Sequence, residues 1–112
     1  MSWMPSAEGK TLNTRGSENG LILRDEVHTE GARITLELES DNAPFAITCG
    51  IYGWFFHTRF LGNSDTVQAD YILMRADLSR ILHSISLQAD SDMVDQRERV
   101  YEAISAFVER YP

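Results

Sequence analysis

The chain contains the two residue types of a nucleophile and its general base, Cys49 and His57, in a single segment. If residues 45–60 form one extended strand, the eight steps between them separate the two side chains by about 26 Å. Only a sharp fold at the glycines, or a second subunit, would bring them into hydrogen-bond reach. Cys49 also alternates with Ile47 and Ile51, as a small buried hydrophobic residue does. We therefore expect a structural cysteine and no catalytic residue of this kind.

The three histidines, His28, His57 and His83, fall on three different predicted elements. Histidine is a common metal ligand, but His28 belongs to the polar face of a strand and His83 lies near the end of a helix, where a protonated ring favours the helix dipole. The chain has no His-Glu-x-x-His motif, no cysteine pair, no glycine-rich phosphate loop and no Gly-x-Ser-x-Gly motif. We expect independent histidines, no metal and no cofactor, and the balance favours a protein that is not an enzyme.

An aromatic run is the most unusual feature of the chain. Tyr52, Trp54, Phe56 and Phe60 lie close together, and Arg59 is the only nearby cation that could hold an anionic ligand. One interpretation is a core strand with a bulge that turns the rings inward. The other is an interface or a ligand cleft, because aromatic residues dominate binding hot spots and apolar pockets. These five residues are the candidates for an interface or ligand site.

Two runs of alternating apolar and polar residues, at 21–28 and 32–38, predict a hairpin with its turn at Glu30-Gly31. Asp25 is the one discord, because it then falls on the apolar face opposite Leu36. There it is a weak candidate for a general acid or base with a raised pKa. We favour a structural role at a bulge, a sheet margin or a charge-protected edge. The register predicts three facing pairs: Val27 with Ile34, Leu23 with Leu38, and Arg24 with Glu37.

The rest of the chain predicts one more strand and two helices. Residues 45–60 are rich in aromatic and β-branched residues, and Gly53 indicates a bulge within that strand. The first helix begins at a cap of Ser64 or Asp65, and the second at a cap of Ser91 or Asp92. Their predicted core stripes recur at three- and four-residue steps: Val67, Tyr71, Met74, Leu78, Ile81, Leu82 and Ile85, then Met93, Val94, Val100, Tyr101, Ile104, Phe107, Val108 and Tyr111.

The order strand, strand, strand, helix, helix predicts an α+β fold, a two-layer sandwich in which two C-terminal helices cover one face of a three-stranded antiparallel meander. Residues 1–19 are rich in Ser, Gly, Asn, Glu and Thr and have few large apolar side chains. We predict that they form a mobile N-terminal arm, and that residues 20–112 form a single domain.

Charge restricts the classes of partner. The chain has 112 residues and a formal net charge of −7, and its arginines form no basic patch. Nucleic acids and anionic membrane surfaces are therefore not expected partners. No apolar run approaches the length of about 20 residues that spans a bilayer, and the first residues lack the apolar core of a signal peptide. With a single cysteine, these features predict a cytoplasmic protein.

Three functional hypotheses follow. The leading one is a small non-catalytic interaction module that acts as a homodimer through residues 45–60, because such an apolar edge is an aggregation hazard unless it is covered. The second is an acidic adaptor or inhibitor of a basic protein. The third is a small-molecule-binding protein or enzyme with a site near Arg59, Tyr52 and Asp25.

Overall fold

The computed structural model describes residues 3–87 and 93–112, and its central feature is an antiparallel sheet in which each strand lies beside the next. Two C-terminal helices pack on one face of this sheet, so the predicted α+β class is confirmed. The elements are β1 (Trp3–Pro5), β2 (Leu21–His28), β3 (Ala32–Leu38), β4 (Phe45–Ile51), β5 (Phe55–Leu61), α1 (Val67–Leu87) and α2 (Met93–Arg110).

The sheet has five strands, and the prediction of three was wrong in this detail. Residues 45–60 do not form one strand with a bulge. The chain reverses at Gly53, whose φ of 83° is in the region that glycine adopts without strain, and the Trp54 amide donates to the Ile51 carbonyl at 2.9 Å. The reversal makes two strands, β4 and β5, and Trp3–Pro5 adds β1 at the opposite edge of the sheet.

The register of the first hairpin also differs from the prediction. Its loop has three residues, with Gly31 at a φ of 107° and its amide donating to the His28 carbonyl at 3.0 Å. His28 therefore faces Ala32, and the predicted pairs do not form. Because side chains alternate between faces, this one-residue slip moves Asp25 from the apolar face to the opposite one, where it faces Thr35.

The core lies between the sheet and the two helices. Strands β3 and β4 contribute Ile34, Leu36, Ile47 and Ile51 to it. The predicted stripe of α1 is confirmed through Leu82, whereas Tyr101 of α2, which was predicted to be buried, is 54% exposed. The cap predicted at Ser91 or Asp92 lies outside the described residues. None of the described helices is both long and apolar enough to cross a membrane.

A group of hydrogen-bonded polar side chains, Glu26, Tyr71 and Arg75, joins β2 to α1 on the helix side of the sheet. The Glu26 carboxylate accepts hydrogen bonds from the Tyr71 hydroxyl at 2.8 Å and from the Arg75 guanidinium at 2.9 Å. Trp3 extends this contact, since its indole donates to the Ser79 hydroxyl at 2.9 Å and packs edge-on against His28. These hydrogen bonds tie α1, which packs over β3 and β4, to the β1–β2 edge of the sheet.

Residues 10–20, which we call the strap, cover part of the face opposite the helices. The strap folds back on the start of β2 through two backbone hydrogen bonds of 2.9 Å between Asn13 or Thr14 and Ile22. Beneath it, the Glu37 carboxylate is fully buried and accepts the amides of Glu18 at 3.2 Å and Gly20 at 2.9 Å. Residues 3–19, which the sequence assigns to a mobile arm, thus pair with or cover the sheet. The mobility of the arm itself stays a prediction.

Gly20 allows this close approach between strap and sheet. A Cβ atom at Gly20 would lie 2.9 Å from the Leu38 carbonyl oxygen, whereas a Cβ atom at Gly62 would have open space. We expect Gly20→Ala to lower the free energy of unfolding by about 1–3 kcal/mol, because the backbone has to shift. The matched control Gly62→Ala should stay within about 0.5 kcal/mol of wild type. Urea unfolding compares the two, and equal stabilities would contradict the close packing of the strap.

Candidate functional site

The face opposite the helices carries the polar groups of the sheet in ordered cross-strand rows. Strand pairing aligns one row of Asp25, Thr35, Thr48 and Thr58, a second of Val27, Arg33, Gly50 and Phe56, and a third of Ile22, Glu37, Ala46 and Phe60. The Thr35 hydroxyl is 3.2 Å from the Asp25 carboxylate, and the Thr48 and Thr58 hydroxyls are 3.1 Å apart. Antiparallel register therefore brings hydroxyl, carboxylate and aromatic groups from four strands onto one surface.

A buried ion pair organises one part of this face. Arg33 donates from Nε to one Asp25 oxygen at 2.9 Å and from Nη2 to the other at 2.6 Å. The Asp25 side chain is fully buried, while that of Arg33 is 43% exposed. Burial alone would raise the pKa of Asp25, but the hydrogen bond and charge of Arg33, with hydroxyl contacts including Thr35, outweigh it and lower that pKa. Asp25 is therefore an ionised structural anchor, and a raised pKa suited to a general acid is not found.

A cavity of about 250 Å³ opens beside this ion pair, between the strap and the sheet. Its sheet side includes Arg33, Thr35 and Thr48, and its strap side includes Gly16 and Ser17. The cavity therefore combines hydroxyls, a guanidinium and apolar surface, which is the mixture that small-molecule sites use, although its volume is below their usual range.

The aromatic candidates divide between the two faces of the sheet. Tyr52 and Phe56 line the cavity, and Phe56 is 75% exposed. Phe60 is exposed on the same face, in the row of Glu37 and Ala46. Trp54 instead packs against the helix-side core, edge-on to Tyr101 at 5.4 Å between ring centroids. The core interpretation therefore fits Trp54 but not Phe56, and the role of Tyr52, Phe56 and Phe60 in an interface or ligand site stays a prediction.

Arg59 lies on the helix side, away from the cavity. Its guanidinium is 3.7 Å from the Asp70 carboxylate and lies over the Tyr111 ring at 5.9 Å. The neighbouring His57 ring is hydrogen-bonded to the Tyr111 carbonyl oxygen. Both β5 side chains therefore hold the end of the chain against the sheet. The structure places Tyr52 and the Asp25–Arg33 pair near one cavity but does not bring Arg59 to it.

Cys49 and His57 are direct cross-strand neighbours, because the reversal at Gly53 places them opposite each other on β4 and β5. The expected separation of about 26 Å was therefore wrong, since it assumed one continuous strand. Cys49 is nevertheless buried, and burial raises the pKa of its thiol to about 12. At neutral pH nearly all of this thiol is protonated, so the pair lacks the thiolate that nucleophilic catalysis needs.

The other two histidines differ in environment. His28 is buried against Trp3 and accepts the Glu30 amide at Nδ1, rather than lying on a polar face as predicted, and burial lowers its pKa. His83 is exposed on α1. Over residues 3–87 and 93–112, no three His, Cys, Asp or Glu side chains form a group that could hold a metal ion.

Sequence reasoning missed Arg33, Thr35 and Thr48 as parts of a site, because alternation assigned polar residues of β3 to a solvated face. The signal was present in the loop Thr29-Glu30-Gly31. A three-residue hairpin loop ending in glycine is common, and it sets Asp25 opposite Thr35 and diagonal to Arg33.

Comparison with protein-family models, curated proteins and solved structures found no match for the chain.

The ion pair predicts an asymmetric response to mutation. Arg33→Met leaves a buried carboxylate without its cation, so we expect a loss of about 3 kcal/mol in unfolding free energy. Asp25→Asn leaves only a half-exposed guanidinium, which water can solvate, so its cost should be about 1–2 kcal/mol. Arg110→Met, which removes an exposed partner of Asp77, should cost no more than about 1 kcal/mol. An Arg33→Met chain as stable as Arg110→Met would contradict the buried pair.

The same pair predicts the direction of a pH dependence. Because the pKa of Asp25 is lower in the folded chain than its ordinary value of 3.8, its contribution is present above that value and is lost as pH falls through the folded pKa. Urea unfolding of wild type between neutral pH and pH about 2 should therefore show a steeper acid loss than that of Asp25→Asn. Parallel curves for the two chains would rule out this contribution.

Cys49 should behave as a buried, protonated thiol. We expect slow alkylation by iodoacetamide in the native chain at neutral pH and fast alkylation after unfolding in urea, because the reactive species is the thiolate. Mass spectrometry against time measures both rates. Native alkylation as fast as that of the unfolded chain would show an accessible thiolate and contradict the structural role.

Proposed function

We propose that the protein is a non-catalytic interaction module that works in the cytoplasm as a twofold homodimer, joined through β5. The observation that carries this proposal is the edge of the sheet. β5 pairs with β4 on one side, and no other described strand pairs with its other side. Four of the seven residues of β5 are apolar, three of them aromatic, and the strand has neither lysine nor proline. Such an edge invites pairing with another strand unless it is covered.

The sequence of β5 is complementary to its own copy in one register. If two copies pair antiparallel with Thr58 on the twofold axis, Thr58 meets Thr58, and Phe56 meets Phe60 on the open face. On the helix side, Phe55 then meets Leu61. Aromatic and threonine cross-strand pairs each stabilise a sheet by about 0.2–1 kcal/mol. This register refines the interface first expected over residues 45–60, since β4 is an interior strand and Trp54 belongs to the core.

One observation supports a second candidate, an acidic adaptor for a basic protein. A shallow groove of about 430 Å³ on α2 is lined by Tyr101 and by the acidic side chains Glu98, Glu102 and Glu109. The chain has a formal net charge of −7, and this acidic surface would attract a basic partner through complementary potentials. Binding that weakens steeply with salt would distinguish this function from β5 pairing, which is mainly apolar and backbone-mediated.

The dimer is tested by placing a charge on the edge. We expect wild type to sediment as a dimer at micromolar concentration, and Phe60→Glu to weaken association by about 30-fold or more, a loss of about 2 kcal/mol. Leu73→Glu is the matched control, because Leu73 is similarly exposed but lies on α1. Its dissociation constant should be unchanged. A wild-type monomer under these conditions, or equal effects of the two variants, would refute the proposal.

Thr58→Cys tests the register itself. A residue on the twofold axis approaches its copy at about the Cα separation that a disulfide needs. Mild oxidation should therefore link Thr58→Cys chains in pairs, whereas Ser64→Cys, at an exposed position outside β5, should link much more slowly. Equal rates of crosslinking in the two variants would show that Thr58 is not at the axis.

A further inference from the structure

The cavity beside Arg33 is lined by aromatic rings, by backbone at Gly50 and by a guanidinium that Asp25 holds in place. The Phe56 ring lies over Gly50, where a Cβ atom would come within 2.6 Å of the ring carbon Cδ1. The strand at Gly50 therefore presents flat backbone, and Phe56, which is 75% exposed, presents its ring beside it. Tyr52 adds a second ring to the lining of the same cavity.

The Arg33 guanidinium is preorganised and is only partly used. A guanidinium has two edges that can each bind a carboxylate with two parallel hydrogen bonds. Asp25 occupies the edge formed by Nε and Nη2. The other edge, formed by Nη1 and Nη2, has no partner among the residues that the structure describes. Asp25 already holds the Arg33 side chain in one geometry. Binding of a ligand to the remaining edge therefore costs little additional side-chain entropy of Arg33.

We propose that this cavity binds a small aromatic carboxylate, with the carboxylate on the free edge of Arg33 and the ring against Phe56 and Tyr52. The volume of about 250 Å³ suits this class, since a cavity of about 150 Å³ holds a benzene ring. The hydroxyls of Thr35 and Thr48 line the same space and add polar surface, but Thr35 already donates its hydrogen to Asp25 and Thr48 is hydrogen-bonded to Thr58, so Arg33 is the group that binds the carboxylate. The site goes beyond the proposed dimer and does not depend on it, because every group that it uses belongs to one chain.

Phenylacetate is the probe, and phenylacetamide is its neutral match in size and shape. We expect isothermal titration calorimetry to give a dissociation constant of about 1 mM or below for phenylacetate, an ordinary affinity for a molecule of this size. Phenylacetamide should bind at least about tenfold more weakly, because it cannot pair with the guanidinium as an anion. No binding of phenylacetate at 10 times that concentration, or equal binding of the amide, overturns the proposal.

Variants test the contribution of the arginine without leaving a buried charge. The double substitution Asp25→Asn with Arg33→Gln removes both charges, and it should weaken phenylacetate binding at least about tenfold. Arg110→Gln is the matched control, since Arg110 also pairs with an aspartate, Asp77, but lies outside this cavity. It should leave the affinity unchanged. Unchanged binding in the double variant, or an equal loss in the control, overturns the assignment.

Backbone amide shifts locate the probe in the wild-type chain, so the test does not rest on the folding of the double variant. Titration with phenylacetate should move the amides of Gly50, Tyr52 and Phe56 together, with one dissociation constant. Shifts centred instead on the helices, or on Arg59, would place the ligand elsewhere and overturn the proposal. Dimerisation is measured separately by sedimentation, so failure of either proposal leaves the other result readable.

Discussion

A carboxylate buried in the middle of the sheet governs the face opposite the helices. Glu37 is fully buried on β3, and a carboxyl group out of water costs several kcal/mol unless donors surround it. Its donors are the backbone amides of Glu18 and Gly20, so the strap has to return across the sheet to supply them. Strand β3 is consequently covered on both sides, by the helices and by the strap. The cavity exists because the strap covers only part of this face.

The face opposite the helices differs from a solvated strand surface because two carboxyl groups, those of Asp25 and Glu37, are buried on it. Asp25 is paired with the side chain of Arg33, whereas the Glu37 carboxyl group accepts hydrogen bonds from backbone amides. The first arrangement leaves a guanidinium that is fixed but half exposed, and the second leaves a loop that is tied down. Together they form a partly open surface of hydroxyl, aromatic and cationic groups. The free edge of β5 continues that surface, so the interface and the cavity proposed here share one sheet face.

Expectations from local pattern succeeded where burial is periodic. The stripe from Val67 to Leu82 was read correctly because one helix face meets one sheet face, and the same holds for Val100, Ile104 and Phe107. The predicted register of the first hairpin was wrong because the alternation of apolar and polar residues cannot choose between two turns that differ by one residue. The three-residue loop would have placed Asp25 opposite Thr35, and the ion pair between Asp25 and Arg33 could then have been predicted. The prediction that Tyr101 is buried was wrong because its place in the helical pattern does not show how far the sheet extends beneath α2.

The sequence by itself determined the class of fold, the two amphipathic helices, most of their core and the burial of Cys49, because periodicity and side-chain size carry that information locally. Only the tertiary structure decided the reversal at Gly53, the registers of β2 to β5 and the return of the strap. These depend on pairings between residues far apart in the chain, whose energies differ little from those of their nearest alternatives. The pairing of Cys49 with His57 follows from the reversal at Gly53, and the position of the Asp25–Arg33 pair beside a cavity follows from the register of β2 with β3 and from the strap.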